Sequence, residues 1–113
     1  MLLDSENMGG FFGFRRTYTA APTLAIDNVE DIQQDFRSAT DFLESWLEKR
    51  GSKAIGVELT IVASPDFYGA IREELNRFVG QPPIQRLAKS MPVAVALMDP
   101  DAEVHDQFVV GGR

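Results

Sequence analysis

Apolar residues recur along this chain with two different periods. Between Asp27 and Gly51, the residues Val29, Ile32, Phe36, Ala39, Leu43, Trp46 and Leu47 share one side of a helix. Asp27 with Glu30 three residues on has the spacing of a capping box. Acids crowd the start, Lys49–Arg50 close the end to suit the helix dipole, and Gly51 is placed as a left-handed stop. A second helix is predicted in SPDFYGAIREELNRFVG, with Ser64 as cap, Pro65 at the first helical position and Gly80 as stop. Its inner stripe is Phe67, Ile71, Leu75 and Phe78.

The other period is two. In KAIGVELTIVA, Ile55, Val57, Leu59, Ile61 and Ala63 alternate with smaller or polar residues, as in a strand with at least one buried face. MPVAVALM is apolar at every position, the pattern of a central strand covered on both faces. QFVV is a last short strand. FFGFRRTYTAAPTLAI is aromatic and β-branched but interrupted by Pro22, so it forms an edge strand or two short strands flanking a bend. QPPIQRLAKS is a proline-led connection with room for one turn of helix from Ile84 to Lys89. Residues 1–10 lack periodicity and read as a loose N-terminal arm or a short lead-in strand. The elements run β-α-β-α-β-β. They predict one α/β domain over residues 11–113, a mixed sheet of four or five strands with two main helices. MPVAVALM is expected at the centre, FFGF and QFVV at edges open to strand addition. Two helices can cover both faces of the centre, or a helix from another chain can complete the cover.

Composition narrows the classes. A chain of 113 residues is one domain in size, and it can bury a core without staples. It has no cysteine, which excludes disulfides, thiolate catalysis and cysteine metal sites. The net charge of −6 disfavours a nucleic-acid surface, whose usual footprint is a basic stripe. No apolar run reaches the ~18 residues needed to span a bilayer. The opening MLLDSENMGG has an early acid and no basic lead, unlike a secretion signal. The expectation is a cytoplasmic, acidic domain that engages neither nucleic acid nor membrane.

Candidate chemistry concentrates in MDPDAEVHDQ, where Asp99, Asp101, Glu103 and Asp106 stand beside His105, the single histidine. Carboxylates and imidazole are competent metal ligands, and Asp101, Glu103 and His105 are spaced by two. An extended continuation would drive these charges to the side of Val93, Val95 and Leu97, which is costly. Aspartate followed by proline is instead the chemistry of a type I turn. An EF-hand register fails, with Val104 at its sixth position and Val110 at its twelfth. The favoured reading is the acidic tip of a hairpin, with a metal or acid–base site as the alternative. No serine sits in a glycine-flanked elbow, and VGQPP is no phosphate loop. No catalytic set and no cofactor are expected.

Two features suggest contacts instead. Phe11, Phe12 and Phe14 cluster ahead of Arg15–Arg16, as a docking segment or as an edge strand packed on its own core. Glu30, Asp31, Asp35, Asp41, Glu44 and Glu48 lie away from the apolar stripe of the first helix, as a solvated face or one for a basic partner.

The stretch SMPVAVALMDPDAEVHDQFVVGG resembles the later half of thioredoxin-like domains, in which a proline precedes a buried strand and a hairpin leads to the next strand and a glycine. Pro92, the strand at 93–98, the turn at 99–103 and Gly111–Gly112 follow that plan. The resemblance covers residues 90–112. It implies a member without redox cysteines, used for binding, with Pro92 a candidate for a cis peptide bond. DNVED stands where that fold carries its paired cysteines, and its final helix has no counterpart. The expected function is a non-catalytic interaction module, an adaptor, accessory subunit or regulator, acting through the aromatic edge strand with Phe11, Phe12 and Phe14; the alternative is a small metal-binding protein or enzyme using the acidic turn around His105. The module binds another protein or a second copy of itself, and a small ligand beside the sheet is a third option.

Overall fold

A computed structural model describes residues 1–3, 6–9, 17–101 and 103–111. Among the described residues there are seven strands and three α-helices: β1 (Leu2–Leu3), β2 (Glu6–Gly9), β3 (Thr17–Ala20), β4 (Thr23–Ile26), α1 (Ile32–Arg50), β5 (Ala54–Ala63), α2 (Tyr68–Gly80), α3 (Pro82–Ser90), β6 (Val93–Met98) and β7 (Val104–Val110). The expected α/β class and mixed sheet are present, with a third helix added.

The sheet is simpler than seven strands suggest. β3 and β4 both lie parallel to β5, one on its first half and one on its second. They are a single strand position broken at Ala21–Pro22, where proline cannot donate to a ladder. The Pro22 carbonyl still accepts from Thr60 N–H at 3.0 Å. β1 and β2 pair antiparallel with β4 and β3 on the outer side. Within the first ten residues, Leu2–Leu3 and Glu6–Gly9 are thus strands. β6 pairs parallel with β5, and β7 closes the far edge antiparallel to β6. QFVV lies at that edge as expected, inside a longer strand that also includes His105 and Asp106.

Sequential strand order decides where the helices go. The chain steps from β4 through α1 to β5, then from β5 through α2 and α3 to β6, each time in the same direction. Right-handed crossovers that advance one way place every helix on one face of the sheet. Burial agrees: Val57, Leu59, Ile61 and Ala63 on β5 and Val93, Val95 and Leu97 on β6 are buried, and the intervening residues are not. The expectation that MPVAVALM is covered on both faces is therefore corrected; only Val93, Val95 and Leu97 meet helices.

Within the helical layer, α1 buries Ile32, Phe36, Ala39, Leu43 and Trp46. Phe36 meets Phe78 of α2 with ring centroids 5.2 Å apart and planes tilted by 56°, a geometry worth about 1 kcal/mol beyond burial. Gly51 ends α1 at φ 52°, in the region that favours glycine. The start differs from the capping-box expectation. A 3₁₀ turn at Val29–Asp31 precedes α1, its cap residue is Asn28, and no side-chain cap bond forms. Val29 is exposed, because this turn rotates it off the inner stripe. α3 exceeds the single turn anticipated. Pro82 and Pro83 occupy first-turn positions, where a missing N–H costs nothing, and Ile84, Leu87 and Ala88 are buried. The peptide bond before Pro92 is trans, as are the others among the described residues.

At its other end, the sheet is tied to α1 by the chain start. The Met1 ammonium donates to Ala25 O at 2.6 Å and to Asp35 Oδ2 at 2.9 Å. Asp35 can be buried because of that partner.

Candidate functional site

Two regions qualify for scrutiny, the acidic hairpin tip and the uncovered face of the sheet. At the tip, Asp99 Oδ1 accepts from the backbone N–H of Asp101 at 2.9 Å and of Glu103 at 3.2 Å. Asp99 N–H donates to Glu103 O at 3.2 Å, closing the loop. An aspartate that binds the backbone ahead of it is the physics of an Asx turn. The carboxylate of Asp99 is thereby committed to holding the hairpin.

Beyond the turn, a register shift at Leu97/Met98 leaves His105 as an extra residue in β7. Its ring rests on Tyr68, with centroids 4.6 Å apart. Next to it Arg72 Nη2 and Asp106 Oδ2 are 3.6 Å apart, both half-exposed. The tip therefore docks on the start of α2. Among the described residues, no three His, Asp or Glu side chains converge to hold a metal ion. Asp101, Glu103 and His105 are not brought together as a ligand set. The Tyr68 hydroxyl is buried and finds no hydrogen-bond partner among the described residues. Burial pushes its pKa above the usual tyrosine value; the Asp99 carboxylate adds to this, Arg72 opposes it, and Glu103 adds a smaller part.

The other region is the sheet face on which none of the described helices packs. Its described side chains include Thr19 on β3, Leu3 on β1, Thr23 and Ala25 on β4, Glu58, Thr60 and Val62 on β5, Ala94, Ala96 and Met98 on β6, and Val104, Gln107 and Val109 on β7. Only one of them, Glu58, is charged. Val109 is 61% exposed, Val104 and Leu3 48% each. Ala94 and Ala96 are short, so the larger side chains of β5 and β7 stand above β6 on either side. The result is a shallow trough of about 390 Å³ lined by Glu58, Thr60, Ala94, Ala96, Gln107 and Val109.

A third concavity, about 360 Å³, lies between α1 and α2 over Phe36, with Arg37, Asp41 and Glu74 on its rim. Within it Thr40 Oγ1 donates to Phe36 O at 3.1 Å, so its buried hydroxyl is satisfied locally. Phe11, Phe12 and Phe14 lie outside the described residues. Sequence reasoning missed both Tyr68 and the open face. The second was signalled by the size alternation within MPVAVALM, with Val, Val and Leu at one parity and Ala, Ala and Met at the other. The chain matches no family model, no curated protein and no solved structure.

Proposed function

We propose that this protein is a non-catalytic interaction module, an adaptor, accessory subunit or regulator, that docks a protein partner on the open face of its sheet. One observation carries the reading: a nearly neutral, apolar sheet face on a chain of net charge −6, with the three helices packed on its other side. Burying such a face gains about 25 cal/mol per Å² of apolar surface, whereas leaving it wet gains nothing. The edge strand β7 extends the same surface and offers unpaired backbone groups for strand addition. The aromatic segment with Phe11, Phe12 and Phe14 belongs to this proposal as a second point of contact. A thioredoxin-like kinship of residues 90–112 fits it too, since a relative without redox cysteines is left with binding. The proposal places the protein in the cytoplasm, away from membranes. Among the described residues, no helix is long and apolar enough to cross one.

The test is gentle purification of the full chain from its native cell, followed by native mass spectrometry, for wild type and Ala96→Glu. The expected result is a stoichiometric protein complex that the glutamate variant loses while keeping its fold. A wild-type monomer carrying a metal or small molecule and no protein would sink the reading.

A further inference from the structure

The open face has the dimensions and character of a surface made to meet its own copy. It spans five strand positions and about six residues, which at strand spacings of ~4.8 Å and ~3.3 Å per residue is roughly 24 by 20 Å, or close to 500 Å². Two such faces remove about 1,000 Å² together, the threshold at which a specific protein interface begins. A pleated surface exposes more than its projection, so the true figure is larger.

Shape and charge favour a twin over an unrelated partner. The trough over Ala94 and Ala96 runs beside a ridge formed by Val109 of β7, and another formed by Thr60 and Val62 of β5. Two twisted sheets stack with strands about 30° apart and side chains interdigitating, and a face with both ridge and trough can supply each to its copy. Two chains of net charge −6 repel wherever their acidic surfaces meet. On this face Glu58 is the one charge among the described side chains, so that repulsion is small there.

We propose that two copies of this chain pair face to face through the sheet surface centred on Ala94, Ala96 and Thr60, giving a helix–sheet–sheet–helix dimer. The proposal rests on the interaction-module reading and names its partner. Glu58, paired with Ala94, lies inside the contact, so each carboxylate must reach water or find a donor on the other copy.

The experiment is light scattering and sedimentation of the purified full chain, up to roughly 0.1 mM, where even a Kd of about 1 µM leaves most chains paired. A mass twice the 12.6 kDa of one chain is expected, falling to one chain in Ala96→Glu. Because that variant could fail by misfolding, Ala96→Cys is the second probe in a chain with no other cysteine. A short thiol cross-linker should join its copies, and should not join those of Gln33→Cys on the exposed side of α1. A dimer indifferent to Ala96→Glu and not cross-linked through position 96 overturns face pairing, and self-association then belongs to another surface such as the β7 edge. A monomer that binds a different protein, lost in Ala96→Glu, overturns self-pairing and leaves the interaction module standing. A monomer with no protein partner removes both.

Discussion

The two faces of the sheet come from the same strands and often from adjacent residues, yet they obey different rules. On the covered side, Val57, Leu59 and Ile61 of β5 interlock with Phe36, Leu43, Ile71 and Phe78 of the helices, and all are at most 2% exposed. On the other side, Glu58, Thr60 and Val62 alternate with them and are exposed or half-buried. β6 shows the contrast most clearly, because both of its faces are apolar and only one is packed. Apolar sequence is thus a statement about where a side chain can go, and cover is decided by topology. Crossovers advancing in one direction use up all three helices on one side.

The sharpest way to break this comparison is to alter one apolar side chain on each side of the sheet. Phe78→Ala should cost about 3–5 kcal/mol in a denaturant titration, since it empties a volume shared by α1 and α2. Val109→Thr, on the open side, should change the isolated chain by less than about 0.5 kcal/mol. Equal losses would mean that the open face carries fold stability in the single chain.

The next effect tests how tightly the helical layer closes on the end of β7. Gly111 has φ 69°, and a Cβ there would stand 2.1 Å from the Ala88 carbonyl oxygen of α3. Gly111→Ala should therefore cost about 2 kcal/mol or more, read as a lower melting temperature. An unchanged melting temperature would show that the chain end moves freely off α3.

The smallest effect concerns Tyr68, which is buried and whose hydroxyl finds no partner among the described residues. Tyr68→Phe should leave stability unchanged or raise it by about 1 kcal/mol at neutral pH, since no bond to the oxygen is lost. The pH dependence has a definite sign. The folded-state pKa is raised above the unfolded value of 10.0, so the unfolded chain releases the proton first. The folded chain then holds more protons, and stability falls as pH rises above about 10 towards the folded value. Below the unfolded pKa the contribution is fully present. In Tyr68→Phe the alkaline decline should be shallower. A variant less stable than wild type at neutral pH would indicate that the hydroxyl has a partner.

Much of the fold was legible because its signals were local. The apolar stripes of α1 and α2, the helix stop at Gly51 and the break at Pro22 each follow from a few neighbouring residues. The hairpin tip was legible too, through aspartate and proline at 99 and 100. What escaped was set by assembly. Whether β6 had one cover or two depends on the direction of both crossovers, which no window of residues states. α3 was underestimated because its two prolines read as a break, although at a helix start they are harmless. Its spacing of Ile84, Leu87 and Ala88 was the available clue. Tyr68 escaped for a similar reason, since its neighbour His105 arrives from 37 positions away in the chain.

The parallel placement of β5 has a consequence for how the chain is made. Its second partner, β6, begins 30 residues after β5 ends. At synthesis rates of about 5–20 residues per second, that is roughly 2–6 s during which an emerging β5 has no neighbour on that side. Its run VELTIVA, apolar and β-branched, is then a free edge of the kind that recruits other nascent chains. Glu58 alone interrupts that run with charge. Its carboxylate serves as a gatekeeper while the sheet is still half built.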